Sequence, residues 1–186
     1  LAWMSEQART YLPDDSVSGR MYDFVKSRYE AGITWEQARD EVYKRYQVEE
    51  QDGYDITSRN LGCNGCVSAS INFAASLVSL FFGEGDWKET VKIAVLAGWD
   101  SDNPAATWGG LLGFMEGQAG IERIFGRKFS GRYNIHRTRT GFPVPNGVDN
   151  FVDMSATGLQ IIDRAVVEEM GGRIADDAWV IPAQTQ

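Results

Sequence analysis

The chain has 186 residues, 18 Lys plus Arg against 26 Asp plus Glu, a net charge of −8 and one histidine. So acidic a chain lacks the positive field that drives general nucleic-acid or anionic-membrane binding, and neither is expected as a partner. The length can bury a full core in one domain, the 43% hydrophobic and 24% charged residues argue against disorder, and two cysteines exclude a disulfide scaffold.

The chain starts at Leu1 rather than Met, which reads as processing or truncation, and Trp3–Tyr11 is too polar for the core of a signal peptide. Leu12–Ser16 is a turn, after which Met21, Tyr22, Phe24, Val25 and Tyr29 recur at helical spacing up to Gly32. Thr34-Trp35-Glu36-Gln37 is a capping box, and the helix it opens runs to about Tyr46 with Trp35, Ala38, Val42 and Tyr46 on one face. Gln47 to Gly65 is polar and rich in Gly, Asn and Asp, a long loop. The longest uncharged run, Cys66 to Phe82, approaches membrane-spanning length but carries four serines and Asn72, so it reads as a buried helix from about Val67 to Phe82. Asp86-Trp87-Lys88-Glu89 opens a helix that ends at Gly98. Asn103-Pro104 reads as an N-cap followed by proline at the first helical position, and the helix to about Glu116 is rich in Ala and Gly, so close packing is expected. Arg123 to Arg139 is cationic and holds His136, Gly141 to Asn150 is a loop, and an amphipathic helix follows from about Phe151 to Met170. Trp179-Val180-Ile181 reads as a short extended segment. With no internal repeat or linker, the expectation is one all-α unit over residues 1–186.

Chemistry concentrates in Gly98-Trp99-Asp100-Ser101-Asp102-Asn103-Pro104. One carboxylate before a helix is explained by capping and the helix dipole. A second one two residues away adds repulsion, which a hard divalent cation relieves, since Mg²⁺ and Ca²⁺ take oxygen ligands. Asn103 adds a neutral oxygen, and the surrounding small residues let a ligand approach the backbone. On the residues alone, metal binding and plain capping both stand.

The surrounding block sharpens the choice. Gly83-Glu84-Gly85-Asp86, then Ile93 through Asn103, then Ala105-Ala106-Thr107-Trp108-Gly109-Gly110-Leu111-Leu112-Gly113 resembles the ADP-ribosylglycohydrolase family, whose signature is Gly-x-Asp-x-Asp followed by a small-residue helix. Phe151–Met154, Ile161–Arg164 and Glu168–Gly172 look like a C-terminal extension in one branch of that family, so the resemblance spans roughly Tyr29 to Trp179. It implies an all-α fold with a cleft for two Mg²⁺ ions, Mn²⁺ being an alternative. The implied enzyme hydrolyses the bond at C1″ of an ADP-ribose attached to a protein side chain or a small molecule. It makes Asp100 and Asp102 metal ligands and catalytic residues, and Asn103 a further ligand where many relatives have Thr. Trp99 and Ser101, on either side of Asp100, are the candidate substrate contacts.

The family's remaining ligands come from a Thr-Asp-Asp-type motif in its N-terminal half, which this sequence lacks. Asp14-Asp15-Ser16 mimics it but lies only about 85 residues before Asp100 and reads as a helix start. The expectation is therefore the C-terminal portion of a longer protein, completed by its N-terminal half or another subunit. The second hypothesis is a non-catalytic binding or structural protein that kept the fold. Cys63-Asn64-Gly65-Cys66 reads as an inert or disulfide-closed loop rather than a redox or zinc motif. The cationic Arg123–Arg139 faces either a diphosphate or the protein's own acidic surface. The cytoplasm is the default compartment.

Overall fold

The computed structural model describes residues 2–55, 65–135 and 147–183. The described part is helical apart from two short hairpins, as expected for the all-α class. Where the sequence reads as one unit, the chain clusters into two compact ones, Leu1–Gly126 and Arg127–Gln186.

The first unit holds α1 (Ala2–Arg9), α2 (Val17–Glu30), α3 (Trp35–Val42), α4 (Ala69–Gly83), α5 (Trp87–Leu96) and α6 (Asp102–Phe125). Local signals set most of the starts. Ser16 caps α2 by accepting the Gly19 N–H, so Asp14-Asp15-Ser16 is a helix entry, with Asp14 paired to Arg9 at 2.9 Å. Thr34 and Gln37 form the full capping box of α3, and Asp86 caps α5 by accepting the Glu89 N–H at 2.7 Å. The core gathers the inner faces of α2 to α5, including Met21, Val25, Val42, Ile71, Val78 and Ile93, each 1% exposed or less. Helix α4 explains the long uncharged run: ten of its residues are buried. No helix among the described residues is long and apolar enough to cross a membrane.

Two departures from the expected elements bear on function. After α3 the chain does not enter a loop at Gln47 but widens into a π-helical turn, Tyr43–Val48, then a 3₁₀ turn, Gln51–Gly53. Asp52, in the left-handed region at φ 60°, receives a two-pronged Arg45 guanidinium at 2.9 and 3.0 Å and the Tyr46 hydroxyl at 3.1 Å, while Arg20 donates to its carbonyl at 3.1 Å. Burial alone would raise the Asp52 carboxyl, but the Arg45 fork outweighs it and holds the group below the ordinary carboxylate value. A depressed acid stabilises the fold above its unfolded pKa and loses that contribution as pH falls through the folded value. Asp52→Asn should therefore cost about 2 kcal/mol at pH 7, the scale of charge-assisted bonds, and the difference should shrink toward zero as pH falls through the folded pKa of Asp52. Urea unfolding at pH 7 and through that fall in pH checks it.

The second departure is in α6. Gly117, at φ 66° and ψ 170°, breaks it where the sequence reads a helix end near Glu116, and a second helical stretch continues to Phe125. Trp87 packs against Gly109, donating its indole N–H to the Gly109 carbonyl at 3.1 Å, whereas Gly110 has no neighbour within 4 Å on its Cβ side. Close packing thus holds for one face of this helix.

In the second unit, β1 (Arg132–Asn134) pairs antiparallel with β2 (Val148–Asn150), in register Tyr133 to Asp149. Helix α7 (Phe151–Glu168) follows, capped by Asn150, and β3 (Arg173–Ala175) pairs with β4 (Ala178–Val180). The extended segment expected at Trp179 is β4, and the Trp179 indole donates to Asp163 of α7 at 2.8 Å. Arg127 lies over Phe129 at 4.8 Å. His136 and Cys63 lie outside the described residues.

Candidate functional site

The segment from Ala97 to Ser101 joins α5 to α6, and three elements grip it. From α3, Arg39 donates through Nε to the Ala97 carbonyl at 2.9 Å and sets its guanidinium carbon 5.5 Å from the centre of the Trp99 ring. From the π-helical turn, Gln47 is 8% exposed and accepts the Trp99 indole N–H at 2.8 Å. From the first turn of α4, Asn72 accepts the Asp100 backbone N–H at 3.0 Å.

The grip is needed because the turn is strained. Gly98 has φ 98°, which glycine tolerates. Trp99 has φ 56°, a region where a bulky side chain is uncommon and which costs of order 1–3 kcal/mol. Such a conformation persists only where its surroundings impose it, and here they are the indole bond to Gln47, the Arg39 stack and the bond that fixes the next N–H.

After Trp99 the chain presents Asp100 and Asp102 close together. A hydrogen bond that its protonated form donates to Asp102, partial desolvation and the neighbouring negative charge all raise the Asp100 carboxyl above its ordinary value. The two carboxyls are therefore close enough for Asp102 to act directly on Asp100.

Helix α6 starts two residues earlier than the sequence suggests. Its N-cap position is Ser101, in helical geometry and without a side-chain cap, and Pro104 stands in the first turn, where its missing N–H is harmless. Asn103 is thus not the cap. It lies inside the first turn, exposed, with its N–H on the Asp100 carbonyl at 3.0 Å and its carbonyl taking the Thr107 hydroxyl at 2.9 Å. This correction frees the Asn103 amide and the Ser101 hydroxyl from capping.

The expected site residues Trp99, Asp100, Ser101, Asp102 and Asn103 thus lie in one continuous turn and helix start. Two carboxylates and an amide are the hard oxygen donors that Mg²⁺ or Mn²⁺ prefers, and the facing carboxyls suit a shared cation. Among the described residues no group of three or more His, Cys, Asp or Glu gathers to hold a metal. A separate apolar cavity of about 300 Å³, lined by Met4, Leu12, Phe73, Leu77, Trp108 and Leu111 among others, includes none of the five.

A family model for ADP-ribosylglycohydrolases matches residues 2–138. The chain belongs to the ADP-ribosylglycohydrolase family. The match reaches further toward the N-terminus than the expected Tyr29 and stops before the C-terminal stretches around α7, and it contains the whole aspartate turn. No curated protein and no solved structure matches the chain. Membership makes it a glycohydrolase-family protein whose chemistry is directed at ADP-ribose.

The residues that sequence reading passed over are those that hold the turn. Arg39 and Gln47 carry no motif. Asn72 left one trace, as the amide side chain within an otherwise apolar and serine-bearing run.

Proposed function

We propose that the chain takes part in Mg²⁺-dependent hydrolysis of the glycosidic bond at C1″ of ADP-ribose attached to a protein side chain or a small molecule. The observation that supports this most is the facing Asp100 and Asp102 pair at the start of α6, inside the segment matched by the family. Asp100 and Asp102 would hold the metal through their carboxylates, and Asn103 through its amide oxygen. A divalent ion bound there supplies Lewis acidity toward ribose hydroxyls and the attacking water. In the reaction the water oxygen bonds to C1″, the bond from C1″ to the leaving nitrogen or oxygen breaks, and the leaving group ends protonated. One of the two aspartates orients that water, and the proton the water gives up passes by way of that carboxylate to the leaving group. Trp99, its indole N–H held by Gln47 and one side of its ring taken by Arg39, offers its remaining ring surface to the substrate, and the uncapped Ser101 hydroxyl offers a hydrogen bond. Because Mg²⁺ takes about six oxygens, water, substrate and groups outside the described residues complete the site; a further segment of the protein or another subunit is the proposed partner.

The test is release of free ADP-ribose from ADP-ribosylated arginine, serine and acetylated small-molecule substrates, with Mg²⁺ or with chelator, in the presence of the remainder of the protein. Release that chelator abolishes supports the reading. Cation binding without turnover on any of them would favour the non-catalytic alternative.

Asn103 gives a sharper check. Because it does not cap, Asn103→Ala should leave the melting temperature unchanged or slightly raised, alanine being the better helix former. If the amide ligates, the same change should weaken Mn²⁺ binding by about tenfold or more, read by calorimetry. Loss of stability with unchanged affinity would return Asn103 to a structural role.

A further inference from the structure

Asn72 is 6% exposed near the start of α4, and every polar atom of its amide is engaged. Its Nδ2 donates to the Cys66 carbonyl at 2.7 Å and to the Ser68 carbonyl at 3.0 Å, and its Oδ1 accepts the Asp100 N–H at 3.0 Å. The two donor bonds fix the orientation of the amide, since a flipped amide would aim N–H groups at the Asp100 N–H and an oxygen at two carbonyls. The oxygen is left with one direction, toward the turn. Nothing in helix formation calls for an amide here: Ile71, Ala74, Ala75 and Val78 around it are buried and apolar, and a buried polar group is tolerated only when bonded. Its long-range bond, 28 residues along the chain, ends on the N–H that directly follows the left-handed Trp99.

We propose that Asn72 is the positioning residue of the aspartate turn: by holding the Asp100 N–H against the strain at Trp99, it aims the Asp100 carboxylate at that of Asp102. The inference deepens the proposed metal-dependent reading and rests on it for its functional consequence. Without the Asn72 oxygen, Trp99 can relax toward an ordinary backbone conformation. The peptide between Trp99 and Asp100 then rotates and carries the Asp100 carboxylate away from its partner. Asn72 touches neither metal nor substrate and acts only through this turn.

The experiment compares Asn72→Leu and the milder Asn72→Ser, whose hydroxyl is too short to reach the turn, with Val78→Ala. The control removes buried volume from the same helix without removing any hydrogen bond to the turn. Two quantities are read in the full chain with the proposed partner segment or subunit present: hydrogen exchange of the Asp100 amide without metal, and Mn²⁺ affinity. The Asn72 variants should exchange the Asp100 amide at least tenfold faster than Val78→Ala and bind Mn²⁺ at least tenfold more weakly, matching the losses seen when outer partners of metal ligands are removed. An Asp100 exchange rate no faster than that of Val78→Ala overturns the proposal, as does Mn²⁺ affinity within twofold of that control. A wild-type chain that binds no Mn²⁺ refutes the metal reading instead, and the exchange comparison still decides whether Asn72 holds the turn. If Asn72→Leu does not fold, Asn72→Ser carries both measurements.

Discussion

Asp100→Asn and Asp102→Asn are each expected to lower ADP-ribosyl hydrolysis by roughly a hundredfold or more with Mg²⁺ supplied. The reasoning starts from charge. Removing groups that merely orient metal ligands costs about 10- to 100-fold, and removing a ligand's charge should cost at least the upper end of that range. Stability gives an independent reading. A cation that binds only the folded chain adds about 2.7 kcal/mol at a hundred times its dissociation constant. Either substitution should abolish most of that gain. The metal-free variants should behave oppositely: the like charges that face each other at neutral pH are reduced to one, so each variant should melt no lower than wild type. The sign of the pH effect follows. An acid whose folded pKa is raised stabilises the fold below its unfolded pKa and loses that contribution as pH rises through the folded value. In the metal-free chain Asp100 is such a group, and Asp102→Asn removes the charge and carboxyl partner that hold it up. Unaltered turnover in either variant would remove the aspartates from the chemistry.

The legible parts of this fold are those fixed by a few adjacent residues. The Thr34 to Gln37 box and the Asp86 cap are local hydrogen-bond exchanges, so the sequence alone places the starts of α3 and α5. The break at Gly117 was visible as the end of a pattern, though not the helical continuation to Phe125. The π-helical turn was not visible, because Trp35, Ala38, Val42 and Tyr46 have the same spacing in any continuing helix; the clasp of Arg45 on Asp52 that accompanies the widened turn leaves no local pattern. Asn103-Pro104 misled for a similar reason. Its cap signal is strong, yet the chain is already helical at Asp102, and Pro104 is accommodated anywhere in a first turn. The five candidate site residues were legible because they are contiguous. Their supports were not, since Arg39, Gln47 and Asn72 reach the segment from Ala97 to Asp100 from 58, 52 and 28 residues away, and no local pattern encodes such separations. Neither hairpin of the second unit was read as a paired element, β1 and β2 being three residues each and set in a cationic and a Gly/Pro-rich stretch.

Gly83→Ala is expected to be the most destabilising single methyl group in the first unit. Gly83 ends α4 and is buried where α5 crosses it; a Cβ there would fall 2.6 Å from the Thr90 Cα and 2.7 Å from its Cβ. Thr90 is fully buried and its hydroxyl has no partner among the described residues, so it has neither room nor a bond to exchange. Because one of the clashing atoms is backbone, the helices must part, and overpacking of this kind costs about 3 kcal/mol or more. That corresponds to a fall in melting temperature of roughly 10 °C for a chain of this size. Thr90→Ala should recover little of the loss, since the Thr90 Cα and Cβ both remain; full recovery would mean that only the hydroxyl was in the way. The consequence reaches the aspartates. Helix α4 carries Gly83 at one end and Asn72 eleven residues earlier, about 16 Å along its axis. Helix α5 meets the first at Thr90 and delivers the turn to the second at Asp100. Pushing α5 away at Gly83 should therefore lengthen the Asn72 bond at the far end and speed Asp100 amide exchange together with the loss of stability. A destabilised Gly83→Ala chain whose Asp100 amide remains as protected as in wild type would show that the turn is held by Gln47 and Arg39 without help from the crossing of α4 and α5.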